Sequence, residues 1–268
     1  MSLKPLRLPA SYNYIACFLT LGCNLKCNYC INNFRGKAKP KRKLISGKEW
    51  VAALNRLECP VDLPVTLQGG EPSLHPDFIW IITHLRKDLN IDILTNLSFE
   101  TKLLIDNVNP ARLKRSAPYP NIRVSYHPQY MDLDRLMAKT LKLQQAGFSI
   151  GIFSVLYPPL LEKLFQAQKK CLAAGIDFRT KEFLGEYQHK IYGTYRYPQA
   201  VGSAKLHDCF CKTSELIVGS DGSVFRCHHD FYKGFPAVGS LLDPAFKIKA
   251  VFRKCESFGD CNPCDVKV

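Results

Sequence analysis

LTLGCNLKCNYCIN, residues 19–32, sets Cys23, Cys27 and Cys30 in a C-x3-C-x2-C array directly after an apolar run at 12–20 that reads as a strand. Cysteine thiolates are the usual ligands of a 4Fe–4S cube. Three of them within eight residues can take three corners of the cube from one loop and leave the fourth iron without a protein ligand. An open metal position is what a bound substrate or cofactor needs, as in catalytic rather than structural zinc sites. A zinc ion held by the same loop would want a fourth protein ligand, and no histidine occurs between residues 1 and 74.

Around this loop, from residue 12 to about 183, runs with strand character alternate with helical periods. Strands are expected at 12–20, 63–68, 90–95, 121–126, 148–155 and 176–182. Ser46 and Glu49 have capping-box spacing, and Trp50, Ala53, Leu54 and Leu57 follow on one helical face. Leu133, Leu136, Met137 and Leu141 repeat the pattern before Gly147, and Leu161, Leu164, Phe165 and Leu172 repeat it before Gly175. Weaker helical patterns cover 76–86 and 99–107. Six strands alternating with helices predict an α/β fold with a parallel sheet and right-handed crossovers. Periodicity leaves open whether the sheet closes into a full barrel, a partial barrel or stays open. In each case ligands collect at the carboxyl ends of the strands.

Those ends carry the informative residues. VTLQGGEP (65–72) closes the second strand with Gly69, Gly70, Glu71 and Pro72. Paired glycines let the backbone approach a ligand closely, and Glu71 can accept a hydrogen bond from an ammonium group. Thr95 and Asn96 end the third strand, and Ser125 and His127 the fourth. Arg179 and Lys181 flank Thr180 on the sixth strand and so share one face. Their charges need anionic partners, either a ligand or the nearby Glu182 and Glu186.

The cysteine array with Tyr29 before its last member, followed by GGEP and the Thr-Asn pair, resembles the radical SAM superfamily over most of the first 180 residues. The resemblance implies a partial (β/α)6 TIM-type barrel and a 4Fe–4S cluster on Cys23, Cys27 and Cys30. The methionyl group of S-adenosylmethionine (SAM) would chelate the open iron. Reductive cleavage would then give methionine and a 5′-deoxyadenosyl radical that removes a substrate hydrogen. Tyr29, Gly69, Gly70, Glu71, Pro72, Asn96, Ser125 and His127 are the expected SAM contacts. Gly147, Ile150 and Gly151 fit the family's glycine-rich adenine strand only loosely. A low-potential electron donor such as flavodoxin or ferredoxin is the implied partner.

The βα rhythm stops near residue 183. EYQHKIYGTYRYPQA (186–200), with a Tyr-Gly centre, suggests a hairpin or lid, and SELIVGSDGSVFRC (214–227) reads as a β-hairpin turning at Asp221-Gly222. A core over 1–205 and a cysteine-rich β-hairpin/helix appendage over 206–268 are therefore expected. The G-x4-C spacing from Gly222 to Cys227, preceded by Cys211, resembles the twitch or SPASM-type appendage that binds auxiliary 4Fe–4S clusters. Cys211, Cys227, Cys261 and Cys264 would supply one such cluster. That leaves Cys209 and Cys255 over, and His228 and His229 nearby; structural zinc is the alternative occupant. Cys17, Cys59 and Cys171 read as small buried hydrophobes.

Apolar residues make up 46% and charged residues 22% of 268, as in a soluble globular protein. No run of 18 or more apolar residues argues for a membrane span, and MSLKPLRLPASYNY lacks the apolar core of a secretory signal. A cytoplasmic location follows, in which twelve cysteines favour metal ligation over disulfides. The net charge of +14 attracts anions, so an anionic small-molecule or peptide substrate is expected, with a net oxidation aided by the auxiliary cluster. The basic run Arg35, Lys37, Lys39, Lys41, Arg42 and Lys43 keeps open a second reading, a non-enzymatic iron–sulfur or zinc protein that binds nucleic acid.

Overall fold

The structure is a computed structural model that describes residues 4–32, 42–60, 62–195, 197–203 and 205–261. In chain order its elements are β1 (Leu6–Arg7), β2 (Tyr14–Thr20), α1 (Gly47–Asn55), β3 (Leu57–Glu58), β4 (Val65–Gly69), α2 (Phe78–His84) and β5 (Ile91–Thr95). Next come α3 (Lys102–Asn107), β6 (Ile122–Ser125), α4 (Leu133–Gln145), β7 (Ile150–Leu156), α5 (Leu161–Ala173) and β8 (Phe178–Glu182). The chain ends with β9 (Gly185–Tyr187), β10 (Lys190–Tyr192), β11 (His207–Cys211), β12 (Glu215–Val218), β13 (Ser223–Phe225), α6 (His228–Lys233), β14 (Gly239–Ser240) and β15 (Arg253–Phe258).

All six expected strands form, and they pair in parallel in the order β2-β4-β5-β6-β7-β8. The sheet does not end at β2. β12 pairs with it in parallel, Glu215 opposite Tyr14 through Val218 opposite Cys17, and β13 and β14 continue antiparallel beyond. Among the described residues no ladder joins β8 to β14, so the nine-stranded sheet is a partial barrel.

The two faces of the sheet differ sharply in burial. Ile15, Cys17, Leu19, Val65, Leu67, Ile93, Val124 and Ile152 are fully buried against Trp50, Leu54, Ile81, Leu143 and Leu164 of the helices. The opposite face carries Gln68, Leu94, Arg123, Ser125, Phe153 and Arg179, all half-buried, as residues lining a cavity are. The helices follow their sequence signals. Ser46 Oγ accepts from the Glu49 backbone N–H at 3.3 Å and Glu49 accepts from the Ser46 N–H at 2.8 Å, a complete capping box. Gly147, at φ 92°, stops α4 in the left-handed conformation that a side chain would disfavour.

A buried ionic group closes the open face at the amino ends of the strands. Asp92, fully buried, accepts from Arg115 Nε and Nη2 at 3.0 and 2.9 Å, from Arg123 Nη2 at 3.2 Å and from Asn121 at 3.3 Å. The Tyr119 ring lies 5.0 Å from the Arg115 guanidinium and 5.2 Å from that of Arg123. Removing the shared carboxylate leaves two buried cations facing each other. Asp92→Ala is therefore expected to lower the unfolding free energy by about 3–5 kcal/mol, measured by urea denaturation.

Three details differ from the sequence expectation. The hairpin after β8 turns at Gln188-His189, both at positive φ, and Gly193 follows its second strand. Gly193 tolerates positive φ and so drew the expected turn too far along the chain. Arg179 pairs with Asp177, Nη2 to Oδ2 at 2.9 Å, instead of the later glutamates; Glu182 accepts from Thr194. Arg42, from the basic run, packs inward: its guanidinium lies 4.4 Å from the Phe225 ring centre and 3.4 Å from Asp221 Oδ2. Arg35, Lys37, Lys39 and Lys41 lie outside the described residues. No helix among those described is long and apolar enough to cross a membrane.

Candidate active site at the carboxyl ends of the strands

The cysteine loop leaves β2 and its start is strapped to the end of β4 through main-chain groups. Gly70 N–H donates to Thr20 O at 2.8 Å and Glu71 N–H to Gly22 O at 2.7 Å. The approach is so close that a Cβ on Gly70 would lie 2.0 Å from Gly22 O, and one on Gly69 2.2 Å from Thr20 O. The paired glycines thus serve backbone contact with the cysteine loop itself, whatever else they approach.

Side chains from four other elements fix the rest of the loop. Asn96, after β5, donates to Asn24 Oδ1 at 2.8 Å and sits 4.0 Å from Cys23 Sγ. Tyr130 donates to Lys26 O at 2.6 Å. Asn32 donates to Gly69 O at 2.7 Å and accepts from the Tyr232 hydroxyl on α6. Tyr29 bonds His127 Nδ1 at 2.9 Å and stacks on Tyr157 with ring centres 4.7 Å apart. Asn32, Tyr130 and Tyr157 gave no sequence signal, since each acts by its place in space rather than in a motif.

Glu71 is held in a cage of donors. It is 1% exposed, and Oε1 accepts from Thr95 Oγ1 at 2.6 Å and Ser73 Oγ at 2.7 Å, while Oε2 accepts from Asn96 N–H at 2.7 Å. Burial raises its pKa and the donors oppose the rise. Oε2 retains capacity for a further donor, such as an ammonium group. Pro72 follows at the start of a short 3-10 turn. Ser125 lies on the open face opposite Phe153 of β7. Gly151 leaves room for Pro120, whose Cγ would lie 2.7 Å from an added Cβ.

Cys27 is buried, and burial together with the neighbouring Cys30 and Cys23 pushes its thiol up to about 12. Such a thiol ionises when a metal takes its proton's place. Cys23, Cys27 and Cys30 are not drawn together around a single-ion point, and a cube, whose thiolates bind different irons, does not need them to be. The donor set fits a 4Fe–4S cluster.

A second thiol group lies in the C-terminal segment. Cys209 and Cys211 alternate on one face of β11, and Cys255 faces Cys209 from β15. The three sulfurs lie within 4.8 Å of one another, and Cys209 and Cys211 are 3.2 Å apart. The triad could hold an auxiliary cluster. The two cysteines that motif spacing leaves over are thus those the ribbon puts beside Cys211; C-x-C alternation on a strand was the signal for Cys209, and Cys255 had none. Cys227 N-caps α6, and with Cys255 it raises the pKa of Arg226, for which the main cause opposing burial is Asp230. Cys261 packs near Ala200 and Phe258, and Cys264 lies outside the described residues. Cys17 and Cys171 are fully buried and Cys59 partly so.

Two outcomes follow from this geometry. Gly70→Ala should displace the cysteine loop and cut the iron bound on reconstitution by about three atoms or more per chain, as a cube is lost; iron analysis checks it. Burial also depresses the His127 pKa to about 4. The unfolded chain then takes up a proton below about pH 6.5 that the folded chain refuses until about pH 4. Stability falls as pH drops through that window. Urea midpoints at pH 7 and 4.5 should differ less for His127→Gln than for the wild type.

Comparison with known proteins agrees with this geometry. GTP 3′,8-cyclase of Campylobacter jejuni strain RM1221 is 30% identical over 106 residues, 38% of this chain and 33% of the relative. Molybdenum cofactor biosynthesis protein 1 of Bos taurus is 34% identical over 77 residues, 28% of this chain and 12% of the relative. The matches thus span a third or less of these relatives. Streptococcus suis SuiB bound to S-adenosylmethionine shares the fold with a TM-score of 0.59 at 15% identity, covering 90% of this chain and 64% of that one. The anSMEcpe structure with bound AdoMet and Cp18Cys peptide gives 0.54 at 17% identity, covering 89% and 78%. The family model for the radical SAM superfamily matches residues 18–178, more than half of the sequence and the span that holds both the cysteine loop and the GGEP turn, and the chain belongs to that superfamily of SAM-dependent 4Fe–4S enzymes.

Proposed function

We propose that this enzyme, acting in the cytoplasm, removes a hydrogen atom from an anionic small molecule or peptide and completes a net oxidation with the help of an auxiliary 4Fe–4S cluster. The reading is carried by the cysteine loop, locked to Gly69 and Gly70 on one side and covered by Tyr29 and Tyr157 on the other. When bound, the cluster and SAM supply a 5′-deoxyadenosyl radical. This chain's own residues bind and orient. Cys23, Cys27 and Cys30 hold the cluster. Gly69, Gly70 and Pro72 shape the turn, and Glu71 Oε2 takes the methionyl ammonium. Asn96 and Ser125 offer polar contacts, and Tyr29, kept in place by neutral His127, offers a ring face to adenine.

The open face favours an anion. Lys181 Nζ lies 5.6 Å from the Phe153 ring centre near the carboxyl end of β8. A strand-end cation beside an aromatic ring can recognise a carboxylate or phosphate on an organic body. In the appendage, taken as 206–268, the auxiliary cluster takes four thiolates, drawn from Cys211, Cys227, Cys261 and Cys264 and from Cys209 and Cys255, whose sulfurs lie within 4.8 Å of that of Cys211.

Anaerobic reconstitution followed by dithionite and SAM tests the reading. Wild-type protein should release 5′-deoxyadenosine. Cys27→Ala should reduce release by about a thousandfold or more, the scale of losing a catalytic group, while retaining the iron of the auxiliary cluster. Equal release from the variant, or none from the wild type, would sink the proposal.

A further inference from the structure

LEKLFQAQKKCLA, residues 161–173, forms α5, the helix that covers β8 at the end of the sheet. Its apolar residues divide between two directions. Leu164, Ala167 and Cys171 are buried against the strands. Leu161, Phe165 and Leu172 stay 36%, 53% and 54% exposed. With about 3.6 residues per turn, these three point within about 40° of one another and run about 17 Å along the helix. Singly scattered apolar residues on a surface need no explanation, whereas a contiguous stripe marks a contact with another molecule.

Two contacts fix which way the stripe looks. Lys170, on the opposite flank of the helix, bridges Asp134 of the neighbouring α4. Gln168, bordering the stripe, donates to Phe178 O of β8 at 3.3 Å. The stripe therefore faces away from α4 and out over the edge of β8, where no strand pairs among the described residues. That edge is itself guarded: Asp177, Arg179, Lys181 and Glu182 set two charges of each sign along it, which discourages pairing with a foreign strand. A helix laid against α5 is the contact this geometry leaves open.

The border of the stripe says which helix fits. On its solvent side stand Glu162 and Lys169, both exposed, and neither forms an ion pair among the described residues. We propose that α5 packs antiparallel on α5 of a second copy, about a two-fold axis midway between Leu161 and Leu172. Leu161 then meets the partner's Leu172, and the two Phe165 rings face each other across the axis. Glu162 and the partner's Lys169 fall on the same side, about 3 Å apart along the axis. Like charges are kept further apart, at about 8 Å for the two Lys169 and about 14 Å for the two Glu162. The stripe is thus complementary to itself in shape and in charge. Three turns of one helix bury less than a standard interface, so the dimer dissociates in the micromolar range. The inference is independent of the reading of the active site.

Sedimentation velocity on the full, reconstituted chain tests this, under anaerobic reducing conditions that exclude disulfide-linked dimers. Across a micromolar concentration series the wild type should shift from monomer to dimer. F165E/L172E, which sets four carboxylates into the joined stripes, should raise the dissociation constant about thirtyfold or more. E162K and K169E each break both cross-helix pairs and should raise it about fivefold. E162K/K169E restores the pairs with their signs exchanged and should return it close to the wild-type value. These side chains are exposed in the monomer, so circular dichroism should be unchanged; were F165E/L172E to unfold, the charge series, which leaves the stripe intact, decides alone. A wild type that stays monomeric throughout the series overturns the proposal, as does a dimer that F165E/L172E leaves intact. A double charge variant that dimerises no better than either single one overturns the antiparallel pairing.

Discussion

The contact on which the site depends is a backbone-to-backbone approach between the end of β4 and the start of the cysteine loop. Gly69 and Gly70 have no side chains, so the Thr20 and Gly22 carbonyls can accept from the amides of Gly70 and Glu71. That contact places Glu71 under Asn96 and Thr95, and Asn96 in turn reaches back to the loop at Asn24. The ends of β2, β4 and β5 are thereby tied in one circuit of hydrogen bonds. Each bond contributes about 1 kcal/mol net. The circuit's larger effect is on position, because three thiols can share a cluster only if the loop that carries them is held still.

Much of this was legible in the sequence, for definite physical reasons. A strand buried on both faces reads as a near-continuous apolar run, as Ile15–Leu19 does, while Val65 and Leu67, and Ile91 and Ile93, mark by alternation the face covered by helices. The capping box at Ser46 and the stop at Gly147 are local, so short-range spacing reveals them. The cysteine loop and GGEP are legible because each packs its chemistry into four to eight consecutive residues. Contacts between distant segments leave no such trace. Asn32 meets Tyr232 across two hundred positions, and Tyr29 meets Tyr157 across more than a hundred. Likewise Cys255 reads as a spare thiol until β15 is seen to lie on β11 opposite Cys209.

Net charge was the most ambiguous sequence property, and the structure shows why. Several arginines serve as internal braces. Arg56, 4% exposed, donates to the carbonyls of Lys4, Leu241 and Asp243. Arg86 bridges Asn55 and Leu57 to α2, and Arg112 holds Leu85, Arg86 and Leu89. A guanidinium has five donors in a planar fork and binds several carbonyls at once, which a lysine does poorly. Counting charges cannot distinguish such a brace from a surface cation. The cations that remain at the surface, such as Lys48, Lys87, Lys114 and Lys163, are spread over the helices and loops.

The C-terminal hairpin is more than an attachment. β12 extends the sheet beside β2, the strand that delivers the cysteine loop, and α6 packs Phe231 on Phe18 of β2 with ring centres 4.3 Å apart. Arg42, at the other end of the loop segment, stacks on Phe225 and reaches Asp221 at the hairpin turn. The loop is therefore pinned at its start by β2, at Asn32 by Tyr232 of α6, and at its end by the hairpin. A shift of α6 or of the hairpin would be felt at Asn32, which also holds Gly69. The thiol-bearing appendage and the cysteine loop thus share a mechanical frame, and an ion or cluster that orders the first would also stiffen the second.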